Sequence, residues 1–160
     1  MGRDIRARRY DDPDVQRLVV EMAEDLARFY GPGTYPPQDP DDWAPPRGAV
    51  VVAYDDGEAV ACGGLIRHTG DSAELKRMFV RPSHRRRGLA RSLLAALEAE
   101  AGRLGYERVV LETGAAQQAA QELYRTCGYS RVACWAPHDA DPTSVCFAKR
   151  LGAGGDAQPR

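Results

Sequence analysis

Arg85, Arg86, Arg87, Gly88, Leu89 and Ala90 set three guanidinium groups directly before a glycine and an apolar run. A guanidinium fork matches phosphate oxygens in shape and stays charged at physiological pH. The first N–H groups of a helix lack internal partners, and the helix dipole is positive at that end. Gly88 has no Cβ, so an anion can approach the backbone closely. The chemistry these residues suit is the binding of a phosphate or pyrophosphate. Taken alone, the run also fits a solvated basic turn ahead of an ordinary helix. Two common phosphate loops are excluded, because no Gly-Lys-Ser/Thr follows and the Gly-x-Gly-x-x-Gly fingerprint is absent.

The elements that must position this loop can be read from periodicity. An apolar strand over residues 73–80 leads into it. A helix opens at Gly88, with Leu93, Leu94, Leu97, Ala101 and Leu104 as an apolar stripe, and Gly105 stops it. Upstream, residues 5–8 form a short strand. Asp12 and Pro13 then start a helix that runs to about Tyr30, with Val15, Leu18, Val19, Met22, Leu26 and Phe29 at helical spacing. Residues 31–47 are rich in Pro, Asp and Gly and form a long loop. A hairpin follows, with strands at 49–54 and 59–66 about Asp55-Asp56-Gly57. Beyond the second helix come a buried strand at 109–111, a third helix over 115–127, and strands at 129–135 and 144–151. The order is that of one α/β domain over 1–151 with a mixed sheet. Residues 152–160 carry little apolar content and are expected to be a disordered tail.

Bulk properties exclude several roles. The chain of 160 residues has a net charge of −1, so no global field recruits nucleic acid or an acidic membrane. The arginine run is short and has no interleaved aromatics, which argues against single-stranded nucleic acid. No apolar run is long enough to span a bilayer, and the N-terminus lacks a signal-peptide core. The four cysteines, Cys62, Cys127, Cys134 and Cys146, have no metal-ligand spacing. A cytoplasmic chain with reduced thiols is expected, with Cys62 and Cys146 as small core residues. No metal is expected.

The loop Arg85–Ala90 resembles the acetyl-CoA pyrophosphate loop of the GNAT acetyltransferase superfamily, which reads Gln/Arg-x-x-Gly-x-Gly/Ala between a strand and a helix. Residues 73–80, Ala-Glu-Leu-Lys-Arg-Met-Phe-Val, resemble the family's fourth strand, and 107–113, Glu-Arg-Val-Val-Leu-Glu-Thr, its fifth. The segment from Gln117 to Tyr129 resembles its Asn-x-x-Ala-x-x-Leu-Tyr-x-x-x-Gly-Phe run, with Gln117 where Asn is usual. The sharp match spans residues 73–129. The resemblance implies the GNAT fold, in which two central strands splay apart, and acetyl-CoA as cosubstrate. Its pyrophosphate would lie at Arg85, Arg86, Arg87, Gly88, Leu89, Ala90 and Arg91. Its pantetheine would run along Met78, Phe79 and Val80 as if it were a strand, with Gln117 nearby.

Acetyl transfer to an amine makes chemical demands. An ammonium must lose a proton before it attacks, the carbonyl oxygen needs a hydrogen-bond donor, and the departing thiolate is best protonated. By the resemblance, Tyr124 is the acid; a phenol with an ordinary pKa of roughly 10 is protonated at neutral pH. Glu74 matches a glutamate that serves as base in the family's histone-modifying branch, and Glu112 on the next strand is its rival. Strict alternation sets Glu74, Lys76, Met78 and Val80 on one face of the strand. The long loop corresponds to the region that shapes the acceptor pocket in the family, with Tyr30, Tyr35 and Trp43 as its aromatics; the alternative is that they anchor the loop to the core. Lys76 and Arg77 suit a carboxylate on the acceptor, whereas Glu112 and residues 39–42 suit a cation. The expected activity is N-acetylation of a small-molecule primary amine by a monomer or homodimer. Acetylation of a protein N-terminus or lysine, or a non-catalytic acyl-CoA-binding module, is the alternative.

Overall fold

The computed structural model describes residues 2–152. Its elements follow the expected order: β1 (Arg3–Ala7), α1 (Pro13–Tyr30), β2 (Ala49–Asp55), β3 (Glu58–Arg67), β4 (Ser72–Val80), α2 (Leu89–Arg103), β5 (Arg108–Gly114), α3 (Gln118–Thr126), β6 (Ser130–Val132) and β7 (Ser144–Arg150). The strands form one mixed seven-stranded sheet in the order β1-β2-β3-β4-β5-β7-β6. The expected tail at 152–160 lies, from residue 153 onward, outside the described residues.

Each face of the sheet buries its own apolar cluster. On one face Leu93, Leu94, Leu97 and Ala101 of α2 and Tyr124 of α3 pack against Val51, Leu75, Val109, Leu111 and Phe147. On the other, Val15, Leu18, Val19 and Met22 of α1 pack against Val50, Val52, Cys62 and Phe79. Asp12 starts α1 as the composition suggests: its carboxylate accepts the Asp14 N–H at 2.8 Å, and Pro13 occupies the first turn. Arg81, just after β4, donates to both carboxylate oxygens of Glu21 at 2.7 and 2.8 Å, tying α1 to the end of that strand.

The centre of the sheet is where the fold creates space. β4 and β5 run parallel but pair only from Ser72↔Arg108 to Leu75↔Leu111. Beyond Leu75 the two strands diverge, so the expected splay is present. On its other side β4 carries a bulge. Cys62 faces Phe79 and Gly64 faces Lys76, so Arg77 and Met78 together oppose Gly63. Arg77 takes a left-handed φ of 62° there. A Cβ on Gly63 would strike the Met78 sulfur at 2.5 Å, so the missing side chain makes room for the bulge. The bulge corrects the expectation of one common face. Met78 and Val80 pack toward α2 with Leu75, while Glu74 and Lys76 stand on the opposite side.

Other departures have local causes. The third helix starts at Gln118 rather than 115, because residues 114–117 form a turn closed by the Gln117 N–H on the Gly114 carbonyl at 3.0 Å. β6 is three residues long, not seven, because the chain leaves the sheet after Val132 toward Pro137, which has no N–H to give a ladder. The expectation of reduced thiols fails at one pair: Cys134 and Cys146 are joined, since β6–β7 pairing sets Val132 opposite Cys146 and brings Cys134 within reach. Cys62 is a core residue as expected, with its thiol pushed up to about 12 by burial.

Candidate active site

Two cavities meet at the splay. One, of about 620 Å³, is walled by Met78, Phe79, Val80, Arg85, Arg86 and Ala90 on one side, and by α3 and the end of α1 on the other. The second, of about 700 Å³, holds Glu74, Lys76, Arg77, Glu112 and His138, with Tyr30 and Tyr35 at its rim. Met22, Leu26, Met78, Gln117, Ala120 and Tyr124 line both. A small cavity of about 280 Å³ continues the first one around Gly88, Leu89, Ala90 and Arg91.

The basic loop is ordered by its own arginines. Arg85 donates through Nε to the Val80 carbonyl at 2.8 Å and through Nη2 to Asp25 at 2.9 Å, so its fork is largely engaged within the protein. Arg86 turns the chain with φ 65° and lines the first cavity. Arg87 lines neither cavity, and its carbonyl accepts the Arg3 guanidinium at 2.8 Å. Arg91 donates to Thr126 Oγ1 at 3.0 Å and Cys127 Sγ at 3.3 Å, bridging α2 to α3. Gly88 adopts φ 79° and caps α2; the first helical hydrogen bond runs from Ser92 back to its carbonyl. The N–H groups of Leu89, Ala90 and Arg91 are therefore free of intrahelical partners.

At the junction of the cavities stands Tyr124. The ring is buried, 5.8 Å from Tyr129 and 6.2 Å from Phe147. Its hydroxyl makes no hydrogen bond among the described residues. Burial disfavours the phenolate and pushes the phenol well above its ordinary value. The proton is thus held firmly at neutral pH.

The two carboxylates sit on the α1 side of the sheet, and a residue the sequence reading passed over lies between them. Nε2 of His138 is 3.9 Å from Glu74, and Nδ1 is 3.8 Å from Glu112. Glu74 also contacts the Lys76 ammonium at 3.4 Å, and Glu112 accepts the Ser144 hydroxyl at 2.8 Å. His138 begins a short 3-10 turn between β6 and β7, with its ring edge-on to Trp135 at 5.9 Å. No spacing in the sequence signals it; only the tertiary fold lays this turn over β4 and β5.

Of the loop aromatics, Tyr30 and Tyr35 reach the second cavity. Gln117 donates to the Tyr30 hydroxyl at 3.4 Å, and that hydroxyl lies over Gly114 where a Cβ would stand. Trp43 does not reach the cavity. It is 1% exposed, stacked on Tyr10 with ring centroids 4.4 Å apart, and belongs to the core. Cys127 lines neither cavity. Among the described residues no cluster of His, Cys, Asp and Glu could hold a metal ion, and no helix is long and apolar enough to cross a membrane.

A family model described as the Acetyltransferase (GNAT) family matches residues 19–129. An IAA acetyltransferase of Azospirillum brasilense is 35% identical over 143 residues, which span 86% of this chain and 93% of that protein. A crystal structure from Klebsiella pneumoniae, assigned as an acyl-CoA N-acyltransferase, superposes with a TM-score of 0.79 at 30% identity, over 93% of this chain and 97% of that one. The structure of yncA from Salmonella typhimurium with its cofactor acetyl-CoA shares the fold, with a TM-score of 0.72 at 19% identity over 100% and 99% of the two chains.

Proposed function

The chain belongs to the acetyltransferase (GNAT) family and is an acetyl-CoA-dependent N-acetyltransferase, and we propose that its acceptor is the primary amine of a small molecule, attacked directly with Glu74 as base and Tyr124 as acid. The observation that carries this reading is the meeting of the two cavities at Met78 and Tyr124. One suits the cosubstrate and the other the acceptor.

The first cavity fits acetyl-CoA on three counts. Past Leu75 the β5-facing edge of β4 has no strand partner, so its backbone groups are available to an amide-bearing arm. The helix terminus at Gly88 offers N–H groups and positive potential to a pyrophosphate. Arg86 adds a cation that no carboxylate engages among the described residues. Acetyl-CoA supplies an activated acetyl group and a thiol leaving group.

The chain's own residues then manage protons. Glu74 takes the ammonium proton, directly or through water, and frees the nitrogen lone pair for attack. The N–C bond forms as the C–S bond breaks, and Tyr124 gives its proton to the departing sulfur; the nitrogen's second proton restores the Tyr124 phenol through solvent, and Glu74 releases the first to water. His138, within 4 Å of both carboxylates, makes Glu74 and Glu112 one proton-handling cluster. The second cavity, about 700 Å³ with Tyr30 and Tyr35 at its rim, suits a small acceptor.

The test is thiol release from acetyl-CoA across a panel of primary amines, with a polyamine, amino sugars and amino acids among them. Amine-dependent release is expected, together with a rise in melting temperature in millimolar CoA; saturation 100-fold above Kd adds about 2.7 kcal/mol to native-state stability. A folded protein that neither shifts with CoA nor releases thiol would overturn the reading.

The loop makes a separate prediction. Gly88→Leu forces a side chain onto a left-handed backbone, and nothing within 4 Å of its Cβ stops it from projecting into cofactor space. A loss of roughly tenfold or more in CoA affinity is expected, worth about 1.4 kcal/mol or more. Arg86→Ala should weaken CoA binding and also flatten its salt dependence, whereas Arg87→Ala should do less of both. Calorimetric titration at low and high salt checks the order, which an equal effect of Arg86 and Arg87 would refute.

A further inference from the structure

The second cavity contains a cation that the acetyl transfer described above does not use. Arg77 lines it from the bulge of β4. Its guanidinium carbon lies 4.0 Å from the centroid of the Tyr35 ring and 5.3 Å from that of Trp43. Nε donates to the Tyr10 hydroxyl at 3.2 Å. No carboxylate pairs with it among the described residues, although Glu74, Glu112 and Asp141 line the same cavity. Lys76, the neighbouring cation, is already engaged by Glu74 at 3.4 Å.

Three features show that the position is built rather than incidental. The backbone holds Arg77 at φ 62°, a conformation an L side chain adopts only at a cost. The bulge re-aims the strand so that consecutive residues Lys76 and Arg77 both reach the cavity. The Tyr35 and Trp43 faces flank the guanidinium, and among the described residues its terminal NH₂ groups make no hydrogen bond. A planar fork held in this way matches a carboxylate in bidentate geometry.

We infer that Arg77 binds a carboxylate on the acceptor, so that the substrate class is an amine that also carries a carboxylate, such as an amino acid. The cavity then reads as bipolar, with the carboxylate at Arg77 and the ammonium at the Glu74–His138–Glu112 cluster. A monoanion is favoured over a phosphate ester, because one unpaired guanidinium among three carboxylates cannot balance a dianion. The inference deepens the amine-acetyltransferase reading and rests on it.

The test compares matched acceptors on the full chain. Standard amino acids, β-alanine and 4-aminobutyrate are set against their carboxamides, with thiol release as the readout. The carboxamides have the less basic amines, so intrinsic reactivity at neutral pH favours them. A kcat/KM at least roughly tenfold higher for a carboxylate member, about 1.4 kcal/mol, therefore reports recognition. Arg77→Gln should collapse that carboxylate-to-carboxamide ratio toward one, mainly through KM, and Arg77→Lys should restore part of it. A merely structural arginine would lower both members together and leave the ratio intact. A wild-type ratio at or below one, or a ratio unmoved by Arg77→Gln, overturns the inference while leaving amine acetylation standing. Acetylation of uncharged amines alone does the same. CoA binding without release for any amine overturns both readings.

Discussion

Tyr124→Phe is expected to lower kcat by roughly 10²–10⁴-fold, the range of general acid catalysis, with CoA affinity nearly unchanged. The substitution keeps the ring in its packing against Tyr129 and Phe147 and removes only the hydroxyl. That hydroxyl makes no hydrogen bond among the described residues, so no buried partner is orphaned and stability should change little. Burial holds the phenol protonated, which secures the proton but makes the group a weaker acid than it would be in water. A sulfur leaving group expelled into the same apolar surroundings gains basicity for the same reason, which helps the transfer. The loss should be greatest for an alkyl thioester such as acetyl-CoA and smaller for a thioester of a more acidic thiol, whose thiolate needs no proton to depart. A full rate in Tyr124→Phe with acetyl-CoA would remove Tyr124 as the acid and leave the acetyltransferase assignment untouched.

Much of the scaffold was legible because local rules and tertiary packing agree in it. Asp12-Pro13 and the spacing of Val15, Leu18, Val19, Met22, Leu26 and Phe29 define the first helix; the structure buries the first four, while Leu26 is half-buried and Phe29 exposed near the helix end. Gly88 after three arginines marks a helix start, and α2 begins at the next residue. Alternation along β4 misled because it assumes unbroken pairing. The bulge depends on Gly63 in the neighbouring strand, and a pattern read along one strand cannot register a vacancy in another. Trp43, in a polar loop, fits a pocket wall or a core anchor when the loop is read alone. It is core because Gly64 leaves room for its ring, a Cβ there standing 2.8 Å from it.

The site was legible in part for a related reason. Glu74, Glu112 and Tyr124 lie on regular elements whose register carries them to one place. His138 and Arg77 owe their positions to irregular backbone, a 3-10 turn in one case and a bulge in the other. Sequence alone does not distinguish the three arginines of the run. In the fold the three diverge, since Arg85 bonds to Asp25 and Val80, Arg86 faces the cavity, and Arg87 lies away from it.

Glu74→Gln is expected to lower kcat/KM by roughly 10²–10³-fold near neutral pH if its carboxylate takes the ammonium proton. The amide keeps the shape of the side chain but cannot accept that proton. In the wild type a base within the site takes the ammonium proton, so the rate should depend less steeply on pH than the fraction of free amine does. In the variant, free amine must come from solution, so the rate should keep climbing with pH until the amine's own titration. The deficit should therefore be widest near neutrality and close at alkaline pH. Glu112→Gln separates the two carboxylates. It leaves Glu74 its contact with Lys76 and keeps an amide oxygen able to accept the Ser144 hydroxyl, so only the carboxylate charge is lost. A small effect with an unchanged profile is expected if Glu112 only orients His138 or the substrate. His138→Ala should fall between the two, because the imidazole touches both carboxylates without being the first proton acceptor. A profile unchanged in Glu74→Gln but altered in Glu112→Gln would move the base from β4 to β5. Profiles altered most in His138→Ala would make the imidazole itself the base, with the two glutamates holding it in place.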